Sequence, residues 1–218
     1  MMNDRWLGWH FLREDGRTGY GGRKPVPGVL MRCRGELELC VNGLHASERP
    51  IDALNYAPGP IVQRVELVGR RIDDRDKSCA RSRRCLWIAD ATRVLHEFAL
   101  WSAERALETE RLAGHEPDRR SVEALDVKRL WLDGEATDEE MAAAKSAARA
   151  AAWDAVRFEA RAAAGSAAWA AAWDAVKSAA GSGVLDVAMG AVRDVYNAEL
   201  HARLMALAPE GYMEISDD

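Results

Sequence analysis

The sequence predicts an α+β fold: a small, mostly antiparallel sheet domain over residues 1–90, followed by an alanine-rich helical bundle over residues 91–218. Three observations predict it. Short apolar runs between Gly and Pro breakers fill the first ninety residues, and after Asp90 the apolar period changes from 2 to 3.6. The charge changes at the same place: residues 1–90 hold 16 Lys and Arg against 12 Asp and Glu, and the remainder 14 against 23. Two stretches of different period and opposite charge read as two units.

The strands come first. "WLGWHFL" (6–12), "GVLMRC" (28–33), "ELELCV" (36–41), "PIVQRVELVG" (60–69) and "RRCLWIAD" (83–90) are short and rich in β-branched, aromatic and leucine residues. Ile61, Gln63, Val65 and Leu67 alternate with Val62, Arg64, Glu66 and Val68, as a half-buried strand requires. "RPIDALNYA" (49–57) is a short helix, with Ile51 and Leu54 at helical spacing.

The helices follow. Asp90 caps a helix whose face carries Val94, Leu95, Phe98, Trp101 and Leu112, and Gly114 stops it. A second helix from about Ser121 ends at "LDGEA", and Thr137 with Glu140 forms a capping box for a third. Between Met141 and Gly181, 21 of 41 residues are alanine, the strongest helix former. Within this tract "SAARAAAWDAV" (146–156) returns as "SAAWAAAWDAV" (166–176). A twenty-residue repeat is about 200° out of phase in one continuous helix. The helix is therefore expected to break at Gly165-Ser166, with Trp153, Trp169 and Trp173 as buried anchors. A final helix holds "VLDVAMGAVRDVYNAELHARLMAL".

Composition limits the function. The formal net charge is −5, hydrophobic residues make up 48%, and no apolar run is long enough to span a membrane. The first fifteen residues lack the apolar stretch of a secretory signal, so a cytoplasmic chain with reduced thiols is expected. Cys33, Cys40, Cys79 and Cys85 lack zinc-ribbon spacing, so four buried or half-buried thiols and no metal are expected. The acidity of the second half argues against duplex DNA as a partner. The basic run "RRIDDRDKSCARSRR" (70–84) has two readings of equal weight: a solvated hairpin edge with gatekeeping charges, or a contact for the phosphates of a nucleotide-like ligand through Arg70, Arg71 and Lys77.

Two resemblances add expectations. "LWSAERALETERLAGHEPDRRSVEALDVKRLWLDGEATDEEMAAAKSAARAAAWDA" resembles a helical domain of uncharacterised phage and actinobacterial proteins, some of them labelled immunity proteins. "WHFLREDG", "LCVNGLHAS", "DALNYAPGPIVQRVELVG" and Asp76-Lys77 resemble a phage-associated domain, which is in turn similar to the ADP-ribosyltransferase fold. That likeness implies NAD as a candidate cofactor. It implies His10 against the nicotinamide ribose, His45 stacked by the nicotinamide and Tyr56 in the ligand-binding helix. Glu66 is the carboxylate available to meet the charge of an oxocarbenium-like transition state. Three functions stand as expectations. The first is a phage-type accessory protein that binds a host or defence protein, in the manner of anti-defence or immunity proteins. The second is an NAD-dependent transferase, and the third a helical module that forms homo-oligomers.

Overall fold

The computed structural model describes residues 6–159 and 186–213, the side chains of residues 151–191 excepted, and shows an α+β protein. In chain order the elements are β1 (Trp6–Leu12), β2 (Leu30–Arg32), β3 (Leu44–Ala46), α1 (Pro50–Leu54), β4 (Ile61–Asp73), β5 (Ser78–Asp90), α2 (Thr92–Leu112), α3 (Arg119–Leu132), α4 (Asp138–Glu159) and α5 (Asp186–Met205). Two compact units form: one from the chain up to Val94 together with the chain from Asp194 on, the other from Leu95 to Arg193. The first break lies four residues past the expected boundary at 90. The return of the chain at Asp194 departs from the expected division, which left everything after 90 in the helical domain.

The sheet unit is built on the long β4–β5 hairpin. β1 pairs antiparallel with β4, and the other edge of β5 carries β2 and then β3. Just past β3, Ser47 exchanges two backbone hydrogen bonds with Trp9, of 2.7 and 3.0 Å. The circuit β1–β4–β5–β3 therefore closes on itself and leaves fewer open edges. Register puts Trp6, Gly8 and His10 opposite Leu67, Val65 and Gln63, so these six share one face. On it Ala46, Val65, Leu67, Ala80 and Trp6 form a packed cluster. Gly8 makes that packing possible: a Cβ there would stand 2.5 Å from the Trp6 ring.

The other face carries Trp9, Phe11, Val62, Arg64 and Trp87. It is covered by the C-terminal stretch, which supplies the buried Leu200 and Leu204. Trp9 meets Trp87 edge-on at 5.7 Å and His201 at 5.4 Å, and Trp87 meets Tyr212 at 6.1 Å. Arg49 pairs with Asp194 at 2.7 Å. An aromatic sheet face this large needs a cover, which is the physical reason that residues from 194 on belong to this unit.

Two strand expectations are corrected. "ELELCV" is not a strand: Glu38 and Asn42 exchange backbone bonds around a tight turn, and the Asn42 side chain donates to the Arg34 and Glu36 carbonyls. β4 and β5 run past their expected ends because Gly69, at φ +85°, is a bulge between Val68 and Arg71 rather than a stop.

In the helical unit α2 and α3 both end as sequence chemistry dictates. Gly114 and Gly134 adopt positive φ, and the next residues bond back to Glu110 and Leu130 at 3.0 and 2.8 Å. Thr137 and Glu140 form the expected reciprocal capping box, with bonds of 2.8 and 3.1 Å. Ala103, Leu107 and Leu125 form the core between α2 and α3, and α3 packs along α4. Leu112, expected on the apolar stripe, is 81% exposed because the stripe ends at Leu107. The expected break at Gly165-Ser166 and the burial of Trp153, Trp169 and Trp173 lie outside the described residues.

Candidate functional site

The polar residues of the sheet unit fall into an inner and an outer group. Inside, Gln63 is fully buried and its Nε2 lies 2.8 Å from His10 Nδ1. An amide nitrogen only donates, so Nδ1 accepts and the neutral ring carries its proton on Nε2. Burial holds the His10 pKa well below the ordinary histidine value, and the charges of Arg83 and His45 push it the same way. Arg83, opposite Leu67 in the ladder, is buried as well and donates to the His45 carbonyl. Its own pKa is pushed down to about 10, chiefly by burial. This inner group is neutral at His10, with Gln63 bonded to His10 and Arg83 to the His45 carbonyl.

The outer group gathers at the end of the β4–β5 hairpin. Tyr56, 50% exposed, donates through its hydroxyl to Asp76 Oδ2 at 2.7 Å. Lys77 Nζ donates to the same hydroxyl at 3.2 Å and sits 4.4 Å from the centre of the Tyr56 ring. Burial pulls the Lys77 pKa down, but its hydrogen bonds to Tyr56 and Cys40 outweigh that and leave it raised. Arg71 pairs with Asp73 and stacks 5.0 Å over the Trp6 ring, while Arg70 is exposed. Beside this tip lies a small polar cavity of about 80 Å³, lined by Trp6, Asp52, Asp74, Asp76, Lys77 and Ser78 among others.

His45 belongs to the outer group. Leu44 and Ala46, its neighbours on β3, are buried, and strand alternation turns His45 to the opposite side. Its Nε2 accepts the Cys40 backbone N–H at 3.1 Å. Burial lowers its pKa, as do Lys77 and Arg83, while a bond to the Gly43 backbone pulls upward. His45 thus adds to the lowering at His10, while the two lie on opposite sides of their strands.

Glu66 joins neither group. Register sets it opposite Leu7 and Arg84, on the face away from His10, and Arg84 Nη1 holds its Oε2 at 2.6 Å. The structure thus brings Tyr56, Lys77 and His45 into one neighbourhood and leaves Glu66 apart. Sequence reasoning passed over Gln63, Arg83 and Asp76. The signal for Gln63 was present: a lone amide in an otherwise apolar alternation marks a buried polar group that needs a partner. Arg83 had no such mark within its basic run.

Cys40 is exposed, which corrects the expectation of four buried or half-buried thiols; Cys33 is half-buried, and Cys79 and Cys85 are buried. Among the described residues no group of three His, Cys, Asp or Glu side chains is placed to share a metal ion, and no helix is long and apolar enough to cross a membrane. No protein family, curated protein or solved structure matches the chain.

Proposed function

We propose that this protein works by binding rather than by catalysis, with Tyr56 and the β4–β5 hairpin tip as its contact surface. The observation that carries this reading is the separation of the two groups that catalysis would need together. A glycosyl-type transfer from NAD requires a carboxylate beneath the ribose bond. Glu66 is held by Arg84 on the face away from His10. The hairpin tip is the opposite case: Tyr56 and Arg70 are exposed, and acids and bases alternate through Asp73, Asp74, Arg75, Asp76 and Lys77.

That mixture selects the partner class. Three aspartates within four residues would repel a phosphate backbone, whereas a mixed polar surface with an aromatic anchor suits a protein face. The sequence resemblances point to a host or defence protein. A photocrosslinker placed at Arg70, used in lysate of the cognate host, should capture one dominant protein, and Tyr56→Ala should abolish the capture. The competing transferase reading is tested in parallel by following nicotinamide release from NAD. Turnover that disappears in Glu66→Gln would replace the binding reading with the enzymatic one.

A further inference from the structure

The sheet unit carries a second charged surface, at its β2 edge and in the loop that leads to it. Between Arg13 and Arg34 the chain holds six Lys and Arg against Glu14 and Asp15 alone. Hydrogen bonds hold this stretch in place. The buried Thr18 donates its N–H to the Arg23 carbonyl at 2.9 Å. Its hydroxyl accepts the Arg23 N–H at 3.1 Å and donates to the Tyr20 carbonyl at 2.7 Å. Arg17 Nη1 donates to the Gly22 carbonyl at 2.8 Å, which closes the turn, and the Gly28 N–H ties the far end of the loop to the Cys85 carbonyl at 2.8 Å.

Tyr20 stands within this turn, 98% exposed, so no side chain covers either face of its ring. Its neighbours are Gly19, Gly21 and Gly22, and a Cβ at either of the last two would meet nothing within 4 Å. The cations beside it are not neutralised. Arg23 Nη1 donates to the Arg32 carbonyl, a neutral acceptor, at 2.8 Å. Lys24 runs past Gly16, where a Cβ would lie 3.8 Å from its Cε. Leu30 is opposite Arg84 and Arg32 opposite Ser82, so Arg32 and Arg84 are diagonal neighbours on one face. Arg84 holds Glu66 and Arg17 lies 3.8 Å from Asp15, but among the described residues no carboxylate pairs with Arg23, Lys24 or Arg32.

We propose that this edge binds single-stranded nucleic acid, with a base stacked on Tyr20 and phosphates held by Arg23, Lys24 and Arg32. Two observations choose this ligand over an acidic protein. The ring is bare on both faces and flanked by glycine, as a planar base requires, whereas a protein anchor sits among contact residues that keep water out. The cations also sit on a loop already fixed by hydrogen bonds, so little order has to be imposed when a flexible strand binds. The strand has to be single, because a duplex keeps its bases stacked on one another and offers none to the ring. This surface is not the hairpin tip and its partner is of another class, so it stands or falls apart from the binding reading.

The experiment titrates the full chain into fluorescent oligothymidylate of about ten nucleotides, and into its RNA counterpart, and follows anisotropy at about 50 mM salt. Binding of either strand supports the proposal, and the tighter of the two names the natural source. Tyr20→Ala should weaken binding about tenfold, and Tyr20→Phe should keep it. The exposed ring supports no packing, so that loss is not one of folding. Lys24→Gln and Arg32→Gln should each lower the slope of log affinity against log salt by about 0.7, one phosphate contact apiece. Arg119→Gln, which removes an exposed base from α3, should change neither reading. No binding at the low salt, a Tyr20→Ala chain that binds like the parent, or a duplex bound as tightly as the single strand would overturn the proposal. So would an oligoglutamate of equal charge that binds as well, since it would assign the edge to an acidic protein.

Discussion

The two units bury a base in different ways. In the sheet unit the Arg83 guanidinium donates to the His45 carbonyl, an acceptor fixed by the β3 ladder. In the helical unit the Lys128 ammonium rests on a ring instead, 3.8 Å from the centre of Trp131, and the neighbouring charges that act on it and on His96 are positive. Burial lowers both, Arg83 to about 10 and Lys128 to about 8, with Lys145 adding to the second shift. A guanidinium with a directed acceptor belongs to the architecture around it. An ammonium on a π face leaves nothing unsatisfied when it is removed.

The largest expected effect tests the sheet side. Trp9 is fully buried and meets Trp87, His201 and the Arg64 guanidinium, the last 4.6 Å from its ring centre. Trp9→Ala should destabilise the protein by about 3–5 kcal/mol, as large aromatic truncations in a core do. Urea unfolding measures it. A loss under about 1 kcal/mol would show that the aromatic layer does not hold the C-terminal stretch on the sheet.

Next comes the comparison itself. Lys128 is 1% exposed, so a shift from 10.5 to about 8 means that its charge opposes folding at neutral pH. Lys128→Met should therefore stabilise the helical unit by about 1–3 kcal/mol, after the lost ring contact is set against the relieved burial of charge. Arg83→Met relieves a buried charge as well but leaves the His45 carbonyl without its donor. It should come out about 1–3 kcal/mol less favourable than Lys128→Met. Equal outcomes would erase the distinction between acceptor and ring. The lysine should also respond to pH. Its folded pKa is depressed, so stability should rise as pH climbs from about 8 toward 10.5, and Lys128→Met should flatten that rise.

What could be read in advance follows from range. Helix ends were legible because a cap and its partner lie within five residues: Thr137 with Glu140, Gly114 with Glu110. The sheet's closure was not, because Ser47 meets Trp9 and β3 meets β5 only after the chain has folded back. The same holds for the site. Tyr56 and Lys77 were nominated from separate blocks, but their meeting at one hydroxyl depends on the hairpin reaching back to α1's end. Glu66 was nominated because it is the acid on a strand. Its face follows from the alternation already visible in "IVQRVELVG", which sets it on the other side from Gln63, and the register adds His10 to Gln63's side.

A smaller effect concerns acid. His10, His45 and His96 all have pKa values held below 6.5, first of all by burial. The unfolded chain takes up protons there before the folded one does. Stability should therefore be full above about pH 6.5 and fall as the pH drops through it, by up to about 1.4 kcal/mol per pH unit for each group. The melting temperature between pH 7 and 5 reads this. His10→Asn keeps an acceptor for Gln63 but does not titrate, so its slope should be shallower than that of the parent. An unchanged slope would mean that His10 protonates as readily folded as unfolded.

The smallest effect separates the two faces of β4. Glu66 meets Arg84 at 2.6 Å, and the two side chains are 13% and 40% exposed. A pair open to water on one side contributes little, because solvent screens it and two long side chains must be ordered. Glu66→Gln keeps an oxygen that can accept from Arg84 and removes only the charge. It should reduce stability by no more than about 1 kcal/mol, less still in high salt, and leave capture by the Arg70 crosslinker unchanged. Gln63→Leu, three residues earlier but on the face that carries His10, should do more, since it removes the amide bonded to His10 Nδ1. If Glu66→Gln proved the more damaging of the two, the face of β4 that carries Trp9 and Arg64 would hold the unit's polar organisation, and the division into a structural interior and a working tip would have to be redrawn.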